Sequence, residues 1–350
     1  DVFRAMNLDF DIVKLYLKSL FIGELAPKEP SQERNKKSQL VEHFQELRRT
    51  LESMNMFKAN LVFFLHLAQL DFEDPSLMMW HFGNGWLVTI FISFFLTISQ
   101  GQSSFLQHDL GHLSMFTKSN WNRLMREISQ LMLSSPQGLS AKWWNHRHFQ
   151  HHIKPNTYPK DPDVDVGPLF LVGDSQPVKV DFCLFALGSH SVHLPSFFVT
   201  VFFSVVLPLL MPVYFNLKSL QMISKGIRSS FYIHYFITLG PFYGILRTIL
   251  LIVVKFLESP WLTYVTQMSH IAMKTSKEEN QDWLSTQVLA TCNAEQSFFN
   301  DYFSHLCFSS LFPTMPRHNY HKVAPLVRSL CAKHGLPYVN KPMLKAFGDI

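Results

Sequence analysis

Charged side chains are scarce in this chain. Lys, Arg, Asp and Glu together make up 16% of its 350 residues, against about a quarter in an average soluble domain. Cysteine is sparse too: Cys183, Cys292, Cys307 and Cys331 stand alone, with no Cys-x-x-Cys pair. That excludes a zinc ribbon and a disulfide framework, and fits a reducing, cytosol-facing compartment. Lys and Arg form no dense stripe and the net charge is only +5, so no nucleic-acid surface is expected. What fills the space is apolar. Hydrophobic residues reach 47% and Phe occurs 33 times, a composition suited to a membrane protein. The chain begins at Asp1 rather than Met and is expected to be a fragment or processed form without a secretory signal.

Residues 1–39 read as an N-terminal arm and a polar, proline-bearing linker. Leu40, Phe44, Leu47, Leu51 and Met54 then recur at helical spacing, with Glu46, Arg48 and Arg49 on the other side. This amphipathic helix over 40–56 could pack on a protein core or lie on a membrane; its place just before an apolar run favours the membrane interface. Four apolar runs follow, giving transmembrane helices over about 57–72, 82–101, 195–217 and 231–257. Residues 195–217 carry no charge at all, which argues against the buried helix of a soluble protein. Lys and Arg number ten in 1–58, eight in 101–194 and eight in 258–350, and are absent from 71–85. The positive-inside rule therefore puts those three basic segments in the cytosol. The fold class expected is all-α: four transmembrane helices in two hairpins under a cytosolic helical cap, within one domain over 40–350.

That topology gathers histidines. His108 and His112 are four apart, and His148, His151 and His152 are spaced by three and four; each set shares one helical face. Imidazole suits iron, zinc, copper and nickel. Five clustered rings exceed the three protein ligands of a usual mononuclear zinc enzyme, which suggests two metals. The soluble di-iron scheme needs Glu-x-x-His pairs, and the chain has none. A histidine-rich di-iron centre at a membrane surface is the better candidate, able to activate dioxygen if substrate is held beside it and water excluded. Asp109 could orient an imidazole or be a surface charge. Trp143, Trp144 and Asn145 could line an acyl-chain cavity or anchor at the interface. His146 reads as a supporting or surface residue. His43, His66, His81, His190, His193, His234 and His334 read as ordinary surface or capping histidines.

Longer motifs carry a resemblance. They are His108-Asp109-Leu110-Gly111-His112, Trp143-Trp144-Asn145-His146-Arg147-His148-Phe149-Gln150-His151-His152 and Lys160-Asp161-Pro162-Asp163-Val164. Further on come Thr266-Gln267-Met268-Ser269-His270, Ala290-Thr291-Cys292-Asn293, Glu295-Gln296-Ser297-Phe298-Phe299-Asn300-Asp301 and Leu311-Phe312-Pro313-Thr314-Met315-Pro316-Arg317-His318-Asn319. Over nearly its whole length the chain resembles the membrane fatty acyl desaturases, in particular the animal front-end delta-5/delta-6 group, and delta-6 most of all.

The resemblance implies a di-iron acyl-CoA desaturase of the endoplasmic reticulum membrane. It would use dioxygen and two electrons from cytochrome b5 and its reductase. Carried over by position, His108, His112, His148, His151, His152 and His270 would be the iron ligands. No catalytic residue is expected beyond them. Asp109, Trp144, Asn145 and Gln267 would support the metals or line the substrate channel. Membrane lipid and other desaturases are expected partners, nucleic acid is not.

Two departures stand out. The His-Pro-Gly-Gly haem motif of an N-terminal cytochrome b5 domain is absent, so electrons are expected from a missing domain or a separate protein. The family's third histidine box, Gln-Ile-Glu-His-His before Leu-Phe-Pro-Thr-Met-Pro, reads here as Cys307-Phe308-Ser309-Ser310 before Leu311. Ser309 and Ser310 stand where two imidazoles would, and serine hydroxyls are poor iron ligands beside imidazole. His305 and His318 lie near but are not box positions. Two expectations therefore stay open: an active desaturase, and an inactive relative that binds acyl chains or pairs with an active one. Mononuclear oxidation chemistry is a weaker third.

Overall fold

The computed structural model describes residues 5–6, 10–24, 38–65, 85–132, 141–163, 282–295 and 310–348, with 257, 261, 265, 269–270, 273 and 276–277 between them. The described elements are mostly helical. In chain order they are α1 (Phe10–Ser19), α2 (Ser38–Ser53), α3 (Trp86–Gly111), α4 (Ser119–Met132) and α5 (Ala141–Ile153), then α6 (Trp283–Leu289), α7 (Tyr320–Lys333) and α8 (Met343–Gly348).

Two parallel pairs of two-residue strands depart from the all-α expectation. In one, β1 (Thr157–Tyr158) pairs with β2 (Ser276–Lys277), Thr157 opposite Ser276. In the other, β3 (Asn293–Ala294) pairs with β4 (Asn340–Lys341), Asn293 opposite Asn340. Both serve to clip distant segments together.

Among the described residues, α3 is the helix long and apolar enough to cross a membrane, at 26 residues. At 1.5 Å per residue its first 20 residues already cover a hydrocarbon core of about 30 Å. The helix was expected over 82–101; it starts instead at Trp86, after Gly85, and runs unbroken to Gly111. Nothing after Gln100 stops it, since Gly101 is accommodated within the helix with its Cα facing the Trp261 ring. The result is that His108 rides on the last turn of the apolar helix. The expected spans over 195–217 and 231–257 fall outside the described residues, apart from Leu257. Of the span over 57–72, a short helix at 61–65 is described.

The main core joins the two ends of the chain. Leu40, Phe44 and Leu51 of α2 are buried against Val323, Ala324, Val327, Leu330 and Cys331 of α7, with Leu284, Val288, Phe312 and Met315 between. Phe44 stacks on Phe312 with ring centroids 5.4 Å apart. Burial of side chains of this size contributes roughly 2 kcal/mol each. This corrects the interfacial reading of 40–56. The apolar stripe of α2 is covered by protein, and helical spacing alone does not specify what covers a stripe. A smaller cluster of Phe64, Leu106 and Leu110, with Met115, Phe116 and Met125 packed on it, holds α3 to α4.

Candidate metal centre

Four imidazoles converge from α3 and α5. The Nε2 atom of His148 lies 2.9 Å from that of His108, 2.9 Å from that of His112 and 3.0 Å from that of His152. The Nε2 atoms of His108 and His112 are 3.2 Å apart. A neutral imidazole nitrogen carries one hydrogen or one lone pair, so this many ring nitrogens facing one another cannot all be hydrogen-bonded. They suit a shared cation. With metal–nitrogen bonds of about 2.0–2.1 Å, adjacent ligand nitrogens lie roughly 3.0–3.4 Å apart, close to the spacing seen here. The donor set therefore fits a transition metal held by His108, His112, His148 and His152.

Burial supports that chemistry. It lowers the pKa of His112 to about 3, with the charges of Arg126 and His151 adding to the effect. His148 is lowered well below its ordinary value, first by burial and then by its charged neighbours. Both rings stay neutral at physiological pH, with lone pairs available for a metal.

His151 belongs to a second cluster. Its Nε2 faces the Nε2 of His270 at 3.3 Å. Its Nδ1 donates to Asp161, 2.9 Å from Oδ2, and lies 3.6 Å from Asp163. His270 donates from Nδ1 to the Ala290 carbonyl at 2.9 Å. Each ring thus has its Nδ1 side fixed and its Nε2 side turned toward the other ring, the usual way a supporting group orients a metal-binding imidazole.

His151, Asp161 and Asp163 are close enough to share a cation themselves. The Asp161 carboxylate, however, already accepts from His151, from the Asn156 amide at 2.7 Å and from the Asp163 amide at 2.9 Å. We assign it to orientation. Burial alone would lower the pKa of His151, but the Asp161 hydrogen bond and the charges of Asp163 and Asp161 raise it. His270 is lowered to about 3, first by burial and then by the charge of His151.

The backbone explains how these residues meet. After α5 the chain turns through Asn156, whose φ of 53° is tolerated by asparagine. The Lys160 and Asp161 amides both donate to the Thr157 carbonyl at 2.8 Å, which folds Asp161 back under His151. The β1–β2 pairing and a bond from Asn156 Nδ2 to the His270 carbonyl, 2.8 Å, bring in the His270 segment. From the other side, Trp283 Nε1 and Gln287 Nε2 of α6 both donate to the His152 carbonyl, at 3.2 and 2.6 Å.

The other sequence-selected residues are placed as follows. Trp144 stacks on the His148 ring at 4.0 Å and meets the His108 and His112 rings edge-on. Asn145 accepts from Arg126, whose guanidinium also lies over Trp144. Gly111 leaves room for both, since a Cβ there would come 2.7 Å from the Trp144 ring. Asp109 forms a buried ion pair with Arg317 at 3.2 Å, which ties the Pro316–Asn319 stretch to α3. His146 is exposed beside Gln150. His318 accepts the Asn60 amide at 2.8 Å at the start of the 61–65 helix, and His43 pairs with His334.

Ser310 is buried in a small cavity of about 20 Å³ lined by Gln287, Thr291, Asn293 and Leu311 among others. Gln267 and Ser309 fall outside the described residues, as do His66, His81, His190, His193, His234 and His305. Sequence reasoning missed Asp161, Arg126 and Arg317 as supporting groups. A carboxylate ten residues after His151, within a charged turn, is the signal that could have found Asp161.

A fatty acid desaturase family profile matches residues 84–342, the stretch that contains all six of these histidines. The chain is a fatty acid desaturase family member. The mouse fatty acid desaturase 2-like protein FADS2B is 65% identical over 366 residues, covering 100% of this chain and 73% of the mouse protein. The human FADS2B relative is 60% identical over 370 residues, covering 100% of this chain and 74% of the human protein. No solved structure matches the chain. As a desaturase-family protein it is membrane-associated and belongs to lipid metabolism, and its histidine cluster suits the iron such a protein binds.

Proposed function

We propose that this desaturase-family chain introduces a double bond into polyunsaturated acyl-CoA substrates, in the manner of a delta-6 desaturase. The observation that carries the reading is the convergence of four imidazole Nε2 atoms within 2.9–3.2 Å of their neighbours in a chain of this family. His108, His112, His148 and His152 would hold one iron, and His151 and His270 would contribute to a second. Bound iron supplies the activation of dioxygen. Overall, one dioxygen, two electrons and two protons take two hydrogens from adjacent carbons and leave two waters.

The chain's own residues supply position and dryness. Asp161 and the Ala290 carbonyl fix the ring orientations of His151 and His270. Trp144 covers one face of His148 and limits water access. Cytochrome b5 and its reductase are the proposed electron source. The run of Lys and Arg along the chain supports a multi-pass arrangement in the endoplasmic reticulum membrane with the histidines on the cytosolic side.

One observation favours a second reading. Ser310 stands at a third-box histidine position, where it lines a small cavity and supplies no imidazole. A chain with serine at a third-box position could be a non-catalytic relative that binds acyl chains or pairs with an active desaturase.

Expression in membranes with cytochrome b5 and its reductase separates the two. Two irons per chain, with desaturated product from linoleoyl-CoA and alpha-linolenoyl-CoA, are the expected outcome. Fewer irons and no product would overturn it in favour of the second reading. Replacing Ser309-Ser310 by Gln-Ile-Glu-His-His should then restore both iron and product.

A further inference from the structure

The helix that follows the first histidine pair is amphipathic the wrong way round for a protein core. On α4 one polar face is buried: Asn122 is 0% exposed, Arg126 5% and Ser129 4%, while Asn120, Arg123 and Glu127 are exposed. Its large apolar side chains are outside: Trp121 is 54% exposed, Leu124 48% and Ile128 38%. Residues 121, 124 and 128 are separated by three and four, so they share one face of the helix.

Two side chains of the buried polar face are engaged inward. Asn122 accepts the Met115 and Phe116 amides at 3.1 and 3.0 Å and donates to the Phe116 carbonyl at 2.6 Å, fixing the turn that leads out of α3. Arg126 holds Asn145 and lies over Trp144. Met125, between the two faces, packs toward Phe64, Leu106 and Leu110.

The height of α4 follows from α3. That helix carries exposed Trp86, Leu87, Ile90, Phe91, Phe94 and Phe95 on its outer surface. Counted from Trp86, a hydrocarbon core of about 30 Å ends near residue 105. α4 begins at Ser119, with seven residues between it and Gly111, and its Met125 packs on the cluster of Leu106 and Leu110, so it lies at the level where α3 leaves the bilayer. The exposed Lys118 stands just before the helix, as suits phospholipid headgroups, and Trp121 has the amphipathic ring enriched at that depth. The exposed Glu127 flanks the stripe, and the exposed Arg123 lies off it, about 100° round the helix from Leu124.

We propose that α4 lies in the plane of the membrane interface, with the Trp121–Leu124–Ile128 face against phospholipid acyl chains. Through Asn122 and Arg126, the same helix seats the imidazole cage at a fixed height above the bilayer. The proposal rests on the reading of α3 as a membrane span, and it gives the interfacial role to α4 rather than α2.

A photoreactive benzoylphenylalanine placed in the full chain tests it, in phosphatidylcholine liposomes, at Leu124, Ile128 or Arg123, with Phe94 on α3 as reference. Illumination should shift the mass of the probe-bearing peptide by one phospholipid at positions 124, 128 and 94, and leave it unshifted at 123. Adducts at 124 and 128 to another segment of the chain or to a second copy, or no lipid adduct there, would overturn the proposal if position 94 still takes lipid. Loss of the lipid adduct at 94 as well would overturn the membrane-spanning reading of α3, and the proposal with it.

Discussion

The two groups of histidines solve the same problem to different degrees. Around His148, four imidazoles present nitrogen to one point with no carboxylate among them. Around His151, two imidazoles face each other at 3.3 Å, and the surrounding groups orient them: Asp161 behind one ring and the Ala290 carbonyl behind the other. The first group brings four donors together. The second is well oriented but, among the described residues, offers two imidazoles. Orientation and donor number are thus separate properties, and a chain can keep the first where the second is reduced.

Breaking the first group should have the largest effect. His148→Ala removes the nitrogen that the other three face. Metal affinity there should fall by more than roughly a hundredfold, beyond what loss of a supporting residue costs. Metal per purified chain, measured by mass spectrometry, checks this, and unchanged metal content would refute the assignment.

An intermediate effect should follow from Asp161→Asn. The ring of His151 loses its charged anchor, so affinity at the His151–His270 pair should drop by about 10–100-fold. The four-imidazole cage should keep its metal, and a titration with two binding phases can read both at once. Equal weakening of both phases would show that the two groups are not separable.

The smallest effect is a difference in pH response. His112 is held neutral down to about pH 3, so protons should compete weakly at the cage. His151 has a raised pKa, so protons should displace metal there first as pH falls through that value. In the metal-free protein the sign reverses. The His151–Asp161 pair stabilises the fold fully below the unfolded pKa of histidine, and that contribution is lost as pH rises through the raised folded value. Metal retention and metal-free melting temperature, each followed against pH, should therefore move in opposite directions.

Much of the cage was legible in the sequence because it is helical. Spacings of three and four place His108 with His112, and His148 with His152, before any tertiary information is needed. His270 was different: a lone histidine has no period, and only the resemblance singled it out. Asp161 reaches His151 through a turn containing a left-handed Asn156, a geometry that spacing does not encode. The two amphipathic helices show a further limit. Both α2 and α4 announce an apolar stripe, but what covers it depends on partners far along the chain. For α2 that partner is α7, nearly 300 residues away. For α4 the decisive fact is that Asn122 and Arg126 point inward, which only the packing reveals.

The reach along the chain also differs between the two groups of histidines, and with it the order in which they can assemble. The His148–His108 contact spans 40 residues, whereas His151–His270 spans 119. Closing a loop about three times longer costs roughly 1 kcal/mol more in chain entropy. It also cannot happen until the later segment has been synthesised. During translation the four-imidazole cage has all its ligands once His152 has emerged, well before His270 exists. A metal captured at that stage would act as an early cross-link between α3 and α5, onto which the rest of the chain folds.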